Sequence, residues 1–319
     1  MRRVWPVPQV VYTTLGDHRE DRDVILFYSR AAWEAARPSL NLKVTAQAEV
    51  KEATEDHWNA LDNGLDGDVV YSVGGGLAAD AAKYVAAKRN LPMICVPTAI
   101  SVDAFFTWAS GIRNDGCVAY LETGPPDKAI IDLEFIGNGP AELRASGICD
   151  VLSIATGCAD WLYAHERSKN PHEMPYLAST ADTAQAILRG CLDASESAGQ
   201  GEAAGLMRLI DALVLEVQLC NLIGHSRPEE GSEHYFAYCA ENALGPGHSH
   251  GELVGPGIVT MARLLDLDVT PLERALRACH VPLDRLSDEV VKQTLRQLPE
   301  YCVKFRLPYG IAHDSSHIA

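Results

Sequence analysis

"GDVVYSVGGGLAADAAKYVAAKR", residues 67–89, decides the fold. Val69 to Val73 form an uncharged, β-branched and aromatic run, the pattern of a strand buried on both faces. Gly74, Gly75 and Gly76 follow at once, and then an alanine-rich segment of strong helix formers. Strand, glycine turn and helix in this order let backbone approach a pyrophosphate while helix N–H groups point at it. The spacing is not GxGxxG, and a tight turn without any ligand also explains the glycines. Asp80 falls a little over one turn into the helix, with Lys83 three residues on, a spacing that a plain surface contact also gives.

Working outward, "DVILFYS" (23–29) and "LKVTAQAEV" (42–50) read as strands before this one, each followed by a helical stretch, "RAAWEAAR" and "KEATEDHWNALDNGL". "LPMICVPTA" (91–99) and "DKAIIDLEFI" (127–136) read as strands after it. Strands alternating with helices predict an α/β fold, a Rossmann-like, mainly parallel sheet with helices on both faces. From residue 141 long amphipathic segments take over, at 141–166, 176–198, 201–224, 229–243, 251–266, 270–280 and 287–304. Only "KFRLPYGI" (304–311) competes there as a strand. The seam near "GNGPAELRASG" therefore predicts an α/β dinucleotide-binding domain, 1–140, followed by an all-helical domain, 141–319, that holds metal and substrate. No long linker separates them, so the two are expected to share a cleft.

Composition narrows the function classes. The 319 residues suffice for two domains and a large core, and 47% hydrophobic with 22% charged residues is globular composition. A formal charge of −16 argues against nucleic acid and anionic membranes as partners, since phosphate backbones need clustered Lys and Arg. Nine cysteines with no CxxC pair point to buried reduced thiols in a cytoplasmic protein. The N-terminal "MRRVWPVPQVVYTTLGDHRED" offers no cleavable leader, and no apolar run reaches the roughly 18 residues of a spanning helix.

Three further segments carry candidate chemistry. "VPTAISVDAFFTWAS" (96–110) crowds Thr98, Ser101, Asp103 and Thr107 behind the fourth strand, where open α/β sheets bind ligands, though turn chemistry explains such residues as well. "ASGICDVLSIATGCADWLYAHE" (145–166) puts Asp150 in a first helical turn, a place where any carboxylate is favoured. "SRPEEGSEHYFAYCAENALGPGHSHGELVG" (226–255) holds His234, His248 and His250, and the spacing Asp150…His234…His250 matches no local zinc pattern.

Together these segments resemble one superfamily, the iron-containing alcohol dehydrogenases and dehydroquinate synthases, and most closely its glycerol-1-phosphate dehydrogenase branch. The resemblance runs from about residue 20 to residue 265 on "GGGLAADAAK", "PTAISVDAF", "GICDVLS…ADW", "SRPEEGSEHYF" and "HGELVGPG". It implies that Gly74, Gly75 and Gly76 meet the pyrophosphate of NAD(P)H, with Asp80 and Lys83 behind them. It implies that Thr98 and Ser101 lie along the cofactor and that Asp103 contacts substrate or nicotinamide. Asp150, His234 and His250, but not His248, are then ligands of one divalent ion, zinc in that branch, with a position left open for substrate oxygen. The implied reaction reduces dihydroxyacetone phosphate to sn-glycerol 1-phosphate, or a related small polyol phosphate, in an enzyme that self-associates.

Some residues depart from the branch. Ala104 stands where glycine is common and resembles the glycerol dehydrogenases, which act on unphosphorylated polyols. "FFTW" is bulky enough to reshape a substrate pocket. Glu229 and Glu230 stand where smaller residues are usual and disfavour a phosphate dianion unless they point to solvent. Arg227 is the candidate phosphate partner, and Arg30, at the end of a strand without the ribose-binding acid, is a candidate for a 2′-phosphate. A sugar-phosphate cyclase, a lyase, needs a lysine that "SVDAFFTWASGIRND" lacks, and a non-catalytic relative would be expected to have lost a ligand.

Overall fold

The computed structural model describes residues 3–317. Its chain runs β1 (Gln9–Tyr12), β2 (Arg19–Tyr28), α1 (Arg30–Ala36), β3 (Asn41–Glu49), α2 (Glu55–Asp62), β4 (Val69–Gly74), α3 (Gly76–Arg89) and β5 (Met93–Pro97). A 3₁₀ turn at Asp103–Phe105 leads to β6 (Ala109–Asn114), β7 (Cys117–Glu122), β8 (Lys128–Ile131) and α4 (Leu133–Gly137). Helices follow: α5 (Ala141–Arg144), α6 (Ile148–Glu166), α7 (Ala178–Gly199), α8 (Ala203–Ile223), α9 (Ser232–Leu244), α10 (His250–Leu264), α11 (Thr270–Ala278) and α12 (Asp288–Lys304).

Six strands form one sheet in the order β1-β8-β5-β4-β2-β3, every pair parallel. The expected α/β architecture with a helical second half is the one observed. Alternation within the strands explains why they read as continuous apolar runs. Val24 and Leu26 of β2, Tyr71 and Val73 of β4 and Ile94 of β5 pack on one face with Ala36 of α1. Ile25 and Phe27, Val70 and Cys95 pack on the other with Ala79 and Ala82 of α3, in an apolar cluster that continues into α6–α12. From β4 the sheet grows one way through β5 and β8 and the other way through β2 and β3. The crevice at the strand ends between β2 and β4 is therefore the topological switch point.

Four local expectations are corrected. β1 is an additional edge strand in a segment whose Pro6 and Pro8 suppress the strand pattern. Residues 109–122, to which the sequence reading assigns no strand, form the antiparallel β6–β7 hairpin, closed by Asp115 and Gly116, both at positive φ (52° and 90°). "KFRLPYGI" is no strand: Lys304 ends α12, Arg306 takes φ 54°, and Ile311–His317 forms a 3₁₀ segment. The predicted fifth strand shortens to β8, because Asp132 caps α4 through the N–H of Phe135 at 2.9 Å. No helix among the described residues is long and apolar enough to cross a membrane.

Candidate metal and cofactor site

The glycine turn is built by backbone requirements at two of its positions. Gly74 has φ +143°, and a Cβ there would stand 2.9 Å from Ser29 Oγ; at Gly76 it would meet Val102 Cγ2, also at 2.9 Å. Gly75 is different. Its φ is −93°, and an added Cβ would meet only Ser101 Oγ, at an ordinary 3.6 Å. Gly75 is the N-cap of α3, which has no side-chain cap and no acid in its first turn. Ser29 follows β2 and Ser101 follows β5, so the turn opens at the switch point between parallel strand ends. Thr98 joins it through its N–H, which donates to the Gly74 carbonyl at 3.4 Å.

Asp80 and Lys83 are not a surface pair. Lys83 is 2% exposed; its ammonium lies 3.0 Å from Asp80, 2.9 Å from the Thr107 hydroxyl, and against the Ala109 carbonyl. The pair fastens α3 to the start of β6. Burial pushes the Asp80 carboxyl up from its ordinary value, and Lys83 opposes that rise.

Across the crevice, Asp150, His234 and His250 come together from helices 84 and 16 residues apart in sequence, each in the first turn of its helix. One ligand atom from each lies within 4.8 Å of the others. His250 Nε2 stands 2.5 Å and His234 Nε2 3.8 Å from Asp150 Oδ1, while Asp150 Oδ2 accepts the Asp103 N–H at 2.8 Å. Glu233 Oε1, 3.0 Å from His234 Nδ1, fixes the tautomer that leaves Nε2 as the free donor. This donor set, two imidazole nitrogens and one carboxylate oxygen with an oriented histidine, fits a divalent ion with an open position. The side chain of His250 is 28% exposed against 8% for His234 and 7% for Asp150, so the site opens on the His250 side.

The helix starts are held by their own caps. Ser249 and Glu252 form a capping box at α10, and Asp160 accepts the N–H and hydroxyl of Ser232 at the start of α9, at 3.0 and 2.7 Å. Burial would raise Asp150, but His250 and His234 outweigh it and hold the carboxyl well below the usual range. His234 moves up: burial lowers it, and Asp150 with Glu233 more than reverses that. Burial and the charge of Asp150 push Asp103 up to about 8.

Other expected residues lie elsewhere or do other work. Arg30 forks onto Glu49 at 3.1 and 2.5 Å, an acid at the end of β3 that reading β2 alone could not supply. Arg227, expected at the substrate, is 2% exposed and donates to the Tyr235 hydroxyl and the Tyr309 carbonyl at 3.3 and 3.1 Å, holding the C-terminal segment. Phe105 and Phe106 are core residues rather than pocket walls. His248 is in the loop before α10, outside the triad. Glu230 does not reach out to solvent: its carboxylate accepts the Tyr238 hydroxyl at 2.8 Å and the Ser226 hydroxyl at 2.6 Å. Glu229 is only partly exposed, with Oε2 buried and unpartnered. Glu216 of α8, which no sequence pattern marked, is buried with both oxygens unpartnered.

Comparison with known proteins follows this geometry. Residues 15–140 match the family model described as iron-containing alcohol dehydrogenase. The chain is 34% identical over 254 residues to "Glycerol-1-phosphate dehydrogenase [NAD(P)+]" of Methanothermobacter thermautotrophicus, covering 79% of this chain and 72% of that one. It is 29% identical to the protein of the same name from Methanococcoides burtonii, over 77% and 68% of the two chains. Among solved structures, a probable glycerol dehydrogenase from Sinorhizobium meliloti superposes with a TM-score of 0.72 at 18% identity, covering 100% of this chain and 98% of that one.

Proposed function

The chain belongs to the glycerol-1-phosphate dehydrogenase branch of the iron-containing alcohol dehydrogenase family, and from that premise we propose that it is a metal-dependent NAD(P)H oxidoreductase reducing a small hydroxy ketone to the secondary alcohol. Its relatives carry glycerol 1-phosphate and NAD(P)+ in name, which supports dihydroxyacetone phosphate going to sn-glycerol 1-phosphate as the form of that reaction. The observation that carries the reading is the convergence of Asp150, His234 and His250 within 4.8 Å, with Glu233 orienting one imidazole.

When bound, the ion supplies Lewis-acid polarisation of the substrate carbonyl and the dihydronicotinamide supplies the hydride. This chain's residues do the rest. Asp150, His234 and His250 would hold the ion, and Glu233 keeps Nδ1 of His234 protonated so that its Nε2 is left to bind. The open N-terminus of α3 behind Gly75 receives the pyrophosphate, with Ser101 beside it. Asp103, whose carboxyl keeps its proton near neutral pH, faces the substrate as a hydrogen-bond donor. Binding a 2′-phosphate at Arg30 requires that its pair with Glu49 open.

Residues 1–140 serve the cofactor in this reading and 141–319 the metal and substrate; residues 1–2 and 318–319 lie outside the described part. Nine free, buried cysteines suit a reducing cytoplasm, and exposed Met207, Leu215 and Leu222 on α8 offer apolar surface for self-association. A second reading, an unphosphorylated ketone, is favoured by the inward Glu229 and Glu230. The test is zinc content and NADH oxidation with dihydroxyacetone phosphate and dihydroxyacetone, on wild type and His250→Ala. About one zinc per chain, lost with activity in the variant, supports the reading. Zinc-loaded wild type that oxidises NADH with neither ketone refutes it.

A further inference from the structure

Asp160 lies in α6 beyond Asp150 and is fully buried, and two distant parts of the chain share its carboxylate. Oδ1 accepts the N–H of Ile311 at 2.6 Å, while Oδ2 accepts the N–H and hydroxyl of Ser232, the first residue of α9, at 3.0 and 2.7 Å. The Ser232 hydroxyl oxygen in turn accepts the N–H of Ala312 at 2.9 Å. The C-terminal 3₁₀ segment, Asp160 and the start of α9 thus close one buried ring of hydrogen bonds. Close backbone approach makes it possible: a Cβ at Gly310 would run into the Asp160 carboxylate, and one at Gly231 would stand 3.1 Å from both Asp160 Oδ2 and Glu233 Oε2. A helix start needs only some acceptor for its first N–H groups. Here the acceptor is shared with a segment from the other end of the chain.

The ring lies one step from His234. Gly231 donates its N–H to Glu233 Oε1 at 2.6 Å, and that same oxygen faces His234 Nδ1 at 3.0 Å. On the far side of His234, Arg227 donates to the Tyr235 hydroxyl and, through its other terminal nitrogen, to the Tyr309 carbonyl. The C-terminal segment is therefore tied to Ser232 before His234 and to Tyr235 after it. We propose that Asp160 and Ser232 are positioning residues through which residues 309–315 set His234 for the divalent ion, so that seating of this segment and binding of the ion are one linked equilibrium. With the segment lifted away, Asp160 Oδ1 and the Ser232 hydroxyl each lose a partner, and the first turn of α9 is held from one side only. The inference rests on the reading of Asp150, His234 and His250 as ion ligands and concerns what holds one of them in place. Linkage is reciprocal: the factor by which seating tightens the ion is the factor by which the ion tightens seating.

The test uses the full chain with zinc and cobalt(II) as probes. Gly310→Ala pushes the segment off Asp160, and Ser232→Ala removes the hydroxyl between Asp160 and Ala312. Each is expected to weaken zinc, by chelator competition, at least about fivefold, and to alter the visible spectrum of bound cobalt(II), which reports ligand geometry. A merely structural ring predicts lower stability in urea by the same amount with and without zinc, with zinc affinity within about twofold of wild type and the cobalt spectrum unchanged; that result overturns the proposal. Amide exchange of the unmodified protein needs no variant to fold. Terminal segments open locally in the native state, and zinc is expected to slow the Ile311 and Ala312 amides at least about fivefold. Equal rates with and without zinc overturn the proposal while leaving the ion site standing. Wild type that takes up neither zinc nor cobalt sinks the ion site and this inference with it.

Discussion

Substituting Glu233 by glutamine isolates the charge that orients His234. Glu233 is fully buried; Oε1 lies 3.0 Å from His234 Nδ1 and accepts the Gly231 N–H at 2.6 Å, while Oε2 has no partner. A glutamine can keep the acceptor oxygen in place, so what it removes is the negative charge that makes Nε2 the more basic donor. Loss of such an orienting partner costs about 10–100-fold in metal affinity, or about 1.4–2.7 kcal/mol. With zinc held at about 1000 times the wild-type Kd, mass action stabilises wild type by about 4 kcal/mol and the variant by about 1.4–2.7. In zinc-free protein Glu233 partners an imidazole whose proton it helps to hold, so the variant's loss there is a separate quantity and the zinc-dependent increment alone reports on the orienting role. Competition with a chromophoric chelator gives the zinc affinity, and urea unfolding with and without zinc gives the linkage. Unchanged zinc affinity, within about twofold, would refute the role given to Glu233 and with it the tautomer that makes His234 a ligand.

Other substitutions separate function from packing. Gly75→Ala should leave urea stability within about 0.5 kcal/mol, since its φ is ordinary and its Cβ space open, yet weaken NADH binding measured by fluorescence; equal NADH affinity would make the glycine turn purely structural. Lys83→Met strands the Asp80 carboxylate and should cost about 3–5 kcal/mol, much of it regained in Asp80→Asn/Lys83→Met; an additive double-mutant cycle would sink the coupling. Burial raises Asp160 to about 6, above the ordinary carboxyl near 4, so the folded chain holds that proton more tightly than the unfolded one. Its contribution to stability therefore falls as pH rises from about 4 to about 6, by about 2–3 kcal/mol, and Asp160→Asn should flatten that slope; an unaltered slope would show that the carboxyl does not titrate there.

What could be read from the sequence depended on how local the cause was. β2, β4 and β5 announced themselves because strands buried on both faces are apolar runs bounded by turn residues. The Ser249 to Glu252 capping box is likewise written in four consecutive residues. The β6–β7 hairpin carries its turn signal in Asp115-Gly116, but "ASGIRN" has no clean alternation to flank it. Pairings made only by the tertiary fold left no local trace. Arg30 meets Glu49 across adjacent strands, Asp160 accepts the N–H of Ile311 from 151 residues away, and Glu216 lies buried in a helix whose other charged residues, Arg208 and Asp211, are exposed. The triad belongs to this second kind: spacing alone did not assemble Asp150, His234 and His250, and only the resemblance brought them together.

Four helix starts border the site, and they are finished differently. α6 turns its first N–H groups back onto the carbonyls of Ala145, Ser146 and Gly147. At α9, Asp160 receives Ser232, and at α10 the Ser249–Glu252 box closes the turn. α3 alone of these four has neither a side-chain cap nor an acid in its first turn. Unsatisfied helix N–H groups seek an anion, and the closed starts instead hold Asp150, His234 and His250 rigidly at fixed angles. The one open start follows the glycines, where a cofactor pyrophosphate would complete it. The way the helices begin thus separates the one start left open to an anion, at α3, from the three closed starts that carry Asp150, His234 and His250.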